Sequence, residues 1–167
     1  MKNLFLALAV LVLSSTCIQA QNPLNVGSSQ LNIGVGLSEW GIPIYAGVDY
    51  CADKDFTVGG EVSFRGYNEN YKKRNYHHSI IGISANGNYH FNSLLRISRK
   101  YDLYAGLNLG FYTWSSPNDY EGDHHSGIGL GIQIGGRYYF SNTVGINLEV
   151  GTGNAFSGGK FGLSIKI

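Results

Sequence analysis

The feature that most constrains this chain is a strict alternation of apolar and polar residues, repeated in eight blocks. The blocks lie near residues 29–38, 42–52, 56–66, 79–91, 101–114, 127–140, 144–153 and 160–167. A period of two sends successive side chains to opposite faces of a strand, so the blocks read as eight β-strands. One face collects Leu31, Ile33, Val35, Ile44, Val48, Val62, Ile83, Leu107, Ile132, Leu148 and Leu163, and no charge falls on it. The other collects Asn32, Asp49, Glu61, Ser84, Asn88, Asn108, Gln133, Arg137, Asn147, Glu149 and Ser164, with Ile80 as its one large aliphatic residue.

Volume decides which face points inward. Eight strands close around a space just wide enough to be filled by side chains. Glycines, asparagines and a few charges fit there, whereas the bulky apolar set does not. Turned outward into water, that set would exceed the few hundred Å² of contiguous apolar surface that a soluble protein exposes. It is therefore expected to face lipid. The expected fold is all-β: an eight-stranded antiparallel up-and-down transmembrane β-barrel with a polar, filled interior. Blocks of about nine to thirteen residues suit tilted strands crossing hydrocarbon. Only 14% of the chain is charged and 24 residues are glycine, too little charge for a watery surface and too much glycine for helices.

Aromatic placement agrees. With the strands alternating in direction, one rim collects Tyr50, Phe56, Tyr89, Phe91, Tyr101, Tyr138 and Phe140, and the other Trp40, Phe64, Phe111 and Phe161. Membrane barrels carry aromatic girdles at both interfaces. The amino terminus is expected on the periplasmic side, with short turns at 53–55 and 141–143 and longer outer loops at 67–78 and 115–126. The connection 92–100 is long for the periplasmic end, and the sequence assigns it no role.

Residues 1–20 read as a secretory signal rather than as part of the fold. Lys2 precedes the unbroken apolar run Leu4 to Leu13, and Ile18-Gln19-Ala20 offers a cleavage site. Ten apolar residues are too few for a spanning helix. A lipoprotein signal ending at Cys17 is the alternative, but Ser14-Ser15-Thr16 lacks the pattern such signals show. Residues 21–167 then form one domain. Of 12 basic and 11 acidic residues only Lys2 is lost, leaving the signs balanced and no bulk charge for nucleic acid. Cys51 is the one remaining cysteine, so no intramolecular disulfide forms.

The tract Gly135-Gly136-Arg137-Tyr138-Tyr139-Phe140-Ser141-Asn142-Thr143-Val144-Gly145-Ile146 joins an aromatic strand end to a tight turn and a new alternating strand. It resembles the small outer-membrane β-barrel domains common in Bacteroidota, and the whole of 21–167 looks like the OmpA/OmpX type of eight-stranded barrel. The resemblance implies an exported protein of the bacterial outer membrane with a structural, surface or adhesion role. It also implies biogenesis through the barrel-assembly machinery. The last strand keeps Phe161, Leu163, Ile165 and Ile167 in step, with Ile167 standing where such chains usually end on an aromatic residue.

Four groups could carry chemistry. Asp49, Glu61, Asp102 and Glu149 face inward with Arg65, Arg137, Lys160 and Lys166. Charges in a narrow lumen need pairing, and Glu61, Arg65, Arg137 and Glu149 are expected at the centre of the network. In the loop after the third strand, Tyr71, Lys72, Lys73, Arg74 and Tyr76 suit anionic sugars, lipopolysaccharide phosphates or a protein partner. His77, His78, His124 and His125 are candidate metal ligands by residue type only, because adjacent histidines are not a defined ligand spacing. His124-His125-Ser126 followed by Glu149 partly matches the His-x-Ser and Glu of outer-membrane lipid A deacylases, which resemble this chain in architecture, but Glu149 falls in the lumen. The favoured reading is a monomeric, non-enzymatic barrel without cofactor, in contact with outer-membrane lipid and lipopolysaccharide, binding a surface ligand or partner through loops 67–78 and 115–126. The rivals are a narrow pore or transport or secretion accessory, a lipid A-modifying enzyme and a soluble lipocalin-like carrier.

Overall fold

The computed structural model describes residues 21–38, 41–71, 74–117, 126–152 and 158–167. The signal-like segment 1–20, Trp40, and His124 and His125 lie outside them. Eight strands follow in order: β1 Ser29–Leu37, β2 Ile44–Asp53, β3 Phe56–Tyr71, β4 Arg74–His90, β5 Tyr101–Ser115, β6 Gly127–Tyr139, β7 Val144–Thr152 and β8 Gly158–Lys166. Each pairs antiparallel with the next, and β8 returns to β1 through pairs such as Leu163 with Ile33, closing the barrel. Closure leaves no edge strand to be satisfied, the condition lipid imposes on a β-structure.

The register fixes the shape. Ser28 is hydrogen-bonded to Cys51, and the pairing runs on through Thr57, Asn88, Gly106, Gln133, Gly151 and Gly158. In the β8–β1 register Gly158 falls beside Ser38, ten residues along from the start. A stagger of ten over eight strands tilts them about 40° from the barrel axis, given the rise and spacing of β-strands.

The alternation sorts as the volume argument requires. Leu107, Ile132 and Leu148 are 65%, 59% and 60% exposed, while Arg137 is 5% exposed and Glu61 points into the lumen. Outward residues form one apolar belt. At the end where β1 begins and β8 finishes, Tyr89 meets Phe91 edge-on at 5.3 Å and Tyr101 meets Tyr138 at 5.2 Å.

Two elements differ from the sequence reading. The expected loop 67–78 is largely ladder: β3 and β4 run on as a hairpin, pairing Tyr67 with His78, Asn68 with His77, Glu69 with Tyr76, Asn70 with Asn75 and Tyr71 with Arg74. Both faces of this stretch are polar or aromatic, so the apolar period that marks a half-buried strand is missing although the backbone bonds continue. The connection 92–100 contains a single helical turn, α1 (Asn92–Leu95). The Asn92 side chain ties it down by donating to Tyr101 O at 2.6 Å and accepting from Leu103 N at 3.3 Å.

The chain ahead of β1 folds across the terminal end of the barrel. Asn22 and Leu24 are buried there against Cys51, itself wholly buried. Arg99 holds this strap from the other side, donating to Pro23 O at 3.2 Å and Asn25 Oδ1 at 2.6 Å.

Candidate functional site

The lumen is filled by two ion-pair clusters at different depths. Nearer the termini, Arg137 Nη2 lies 2.6 Å from Asp49 Oδ2 and Nη1 lies 2.9 Å from Asp102 Oδ2. Asp102 also meets His90 Nδ1 at 2.7 Å, and His90 Nε2 meets Thr57 Oγ1 at 3.0 Å. Asn32 donates to Asp49 at 2.9 Å and accepts from Ser164 at 2.7 Å. In the second cluster Lys160 Nζ sits between two carboxylates, 2.7 Å from Glu61 and 3.1 Å from Glu149. Tyr104 links the clusters: its hydroxyl donates to Glu149 at 2.9 Å, and the Arg137 guanidinium stacks 4.2 Å from its ring centre. Buried charges persist only with such pairing, and charge-assisted bonds are the strong ones.

Among the described residues, four inward-facing tyrosines stand directly opposite a glycine on a neighbouring strand. The pairs are Tyr45 with Gly34, Tyr104 with Gly135, Tyr112 with Gly127 and Tyr139 with Gly145. A Cβ on Gly34 or Gly162 would stand 2.9 or 2.6 Å from the Tyr45 hydroxyl, which donates to Asn147 at 2.8 Å. Strand parity places these tyrosines inside, and their cross-strand glycines are the signal that marks them. The central cavity, among Asn32, Tyr45, Asn86, Arg137 and Lys160, measures about 20 Å³, room for one water and no more.

The sequence-derived network is therefore redistributed. Asp49, Glu61, Arg137 and Glu149 lie in the two clusters, where Glu61 pairs with Lys160. Arg65 is buried nearer the hairpin end, paired across strands with Ile80, and donates to Ser38 Oγ at 2.8 Å. Lys166 lies toward the termini, 3.9 Å above the Tyr139 ring, whose hydroxyl bonds to Gln30. Parity gave the side of each residue, while depth depends on the stagger, which a single strand does not reveal.

At the hairpin end, His77 and His78 diverge. His77 is exposed and bonds to Asn68 Oδ1 at 2.7 Å, whereas His78 is buried, 2.8 Å from Ser116 Oγ and packed against Tyr67 and Trp114. Successive residues on a strand point to opposite faces, so the two imidazoles lie on different sides of β4. Among the described residues, no cluster of three or more potential metal-binding side chains occurs. Tyr76 is buried on the inner face of the hairpin, and Arg74, two residues away on the same face of β4, is exposed. Lys72, Lys73 and the side chain of Tyr71 lie outside the described residues, as does most of loop 115–126. Glu149 is held in the lumen by Tyr104 and Lys160, and His124 lies outside the described residues.

No protein-family model and no curated protein matches this sequence. Solved structures do. The outer membrane protein OprG of Pseudomonas aeruginosa superposes with a TM-score of 0.64 at 10% identity, covering 90% of this chain and 99% of that one. The N-terminal β-barrel domain of Pseudomonas aeruginosa OprF gives 0.62 at 12% identity, covering 86% and 100%. Ail of Yersinia pestis, in complex with the heparin analogue sucrose octasulfate, gives 0.50 at 17% identity, covering 85% and 96%. The closed antiparallel eight-strand topology, the outward apolar belt and these neighbours together show that the chain has the fold of the small outer-membrane β-barrels.

Proposed function

We propose that the protein is a closed, non-enzymatic barrel of the bacterial outer membrane that offers its hairpin end as a binding surface. Its barrel neighbours support the location. The short turns and both termini then face the periplasm and the β3–β4 hairpin faces outward, the usual arrangement of such barrels. One observation carries the reading: the lumen is packed with paired charges around a cavity of about 20 Å³, while β3 and β4 continue as a polar ladder beyond the apolar belt. A barrel built this way has no room to pass a solute and does have an outward platform.

The ligand class follows from the hairpin tip, where Tyr71, Lys72, Lys73 and Arg74 cluster in sequence. Cations interleaved with tyrosine suit sulfated or phosphorylated sugars, such as surface glycans or lipopolysaccharide. Sucrose octasulfate is a suitable probe. Calorimetry on the refolded barrel is expected to show binding that weakens with salt and is lost in the variant K72Q/K73Q/R74Q. Planar bilayers should show negligible conductance. A stable open channel would refute the closed lumen, and salt-independent or absent binding would refute the glycan surface.

A further inference from the structure

Connection 92–100 differs from the other turns at the same end. Ser141-Asn142-Thr143 is uncharged and polar, and Lys54 pairs with its neighbour Asp55 at 3.9 Å. In contrast, α1 presents Leu94 and Leu95 with 67% and 56% of their surface exposed. Arg96 follows with φ 54°, the left-handed region, a helix-end position at which glycine is the usual occupant. Arg96 and Lys100 are exposed, whereas Arg99 is turned to the strap. The segment is anchored between Phe91 and Tyr101, both members of the aromatic rim through their contacts with Tyr89 and Tyr138. Two exposed leucines therefore lie in the segment that adjoins that rim, with two cations close by in sequence. Apolar groups at the acyl boundary with lysine or arginine at headgroup level is the pattern of an interfacial anchor.

We propose that residues 92–100 form a phospholipid site: Leu94 and Leu95 enter the periplasmic leaflet beside the aromatic rim, and Arg96 and Lys100 bind the phosphate of an anionic glycerophospholipid. The site rests on the membrane reading above, so its test carries a separate control for insertion. The barrel is refolded into vesicles of phosphatidylcholine, alone or mixed equally with phosphatidylglycerol, using lipids brominated near the glycerol end of their chains or deeper. Single-tryptophan reporters, L94W and L107W, are made in a W40F/W114F background.

The expected result is that L94W emits in the blue and is quenched by the shallow bromines, while L107W is quenched by the deep ones. Phosphatidylglycerol should raise the thermal midpoint of the parent by several degrees and leave R96G/K100Q unmoved. Glycine at position 96 suits the backbone there, so this variant is expected to fold. Water-like, unquenched emission from L94W beside a quenched L107W overturns the site alone, and failure of both reporters overturns the membrane reading. Blue emission without quenching means a protein cover and overturns the lipid assignment. Equal midpoints of the parent in both lipids overturn the anionic preference.

Discussion

The ring of Tyr104 occupies the volume that a side chain at position 135 would need: a Cβ built on Gly135 would stand 2.3 Å from Tyr104 Cζ. The two residues are cross-strand partners on β5 and β6, so the ring lies across its own neighbour's backbone. The same arrangement at Tyr45, Tyr112 and Tyr139 explains where many of the luminal glycines belong. In a barrel this narrow, one bulky ring at a given level requires a bare backbone next to it.

Gly135→Ala should therefore destabilise the barrel by about 1–3 kcal/mol, the range for overpacking a filled interior. Gly136→Ala, one residue on and facing lipid, meets only ordinary contacts, the nearest being Leu103 Cδ2 at 3.4 Å. It should be close to neutral. Urea unfolding in lipid vesicles, followed by tryptophan emission or by heat-modified gel mobility, compares the two. Equal effects would mean that the tyrosine–glycine packing does not set the interior.

Lys160→Met leaves Glu61 and Glu149 facing each other without the cation between them. Removing one member of a buried charge set costs about 3–5 kcal/mol, and a loss of that size is expected in the same unfolding assay. Adding Glu61→Gln and Glu149→Gln should restore most of it, because no unpaired charge then remains. A Lys160→Met barrel as stable as the parent would show that the second cluster does not hold the lumen together.

Much of this was legible in the sequence, for a physical reason. A strand with one face in lipid and one in a polar lumen writes its period of two in hydrophobicity, so all eight strands could be read from residues such as Ile81, Ile83 and Ile128, Leu130, Ile132. Where lipid ends, the code ends too. Asn68, Glu69, Asn75 and Tyr76 pair as strands, yet nothing apolar marks them. Partnership across the lumen was also hidden: Lys160 is opposite Glu149 by register, but its contact with Glu61 joins strands far apart in sequence. That contact depends on the stagger of ten, which becomes visible only when the ladder closes. The strap across the barrel end was illegible because Asn22, Pro23 and Leu24 form no repeating pattern.

Arg99 is the pin of that strap. Arg99→Ala removes two hydrogen bonds from a guanidinium, each of the kind that contributes about 1.5–3 kcal/mol. The strap should open locally more often, without unfolding of the barrel. Cys51, wholly buried beneath it, reports the opening. Maleimide labelling of the folded protein is expected to speed up on the order of tenfold or more. An unchanged rate would mean that Cys51 is covered by something other than the strap.

Outward apolar and inward polar faces are the foundation for every site described above, and spin labels along one strand measure them directly. In a Cys51→Ser background, labels at positions 105, 107, 108 and 109 of β5 are read in vesicles for collision with oxygen, which dissolves in lipid, and with a water-soluble nickel chelate. Labels at Ala105, Leu107 and Leu109 should collide with oxygen and not with nickel, and the one at Asn108 with neither. A period of two in oxygen accessibility is the expected result. Nickel accessibility at Leu107, or no alternation along the strand, would contradict the lipid-facing barrel.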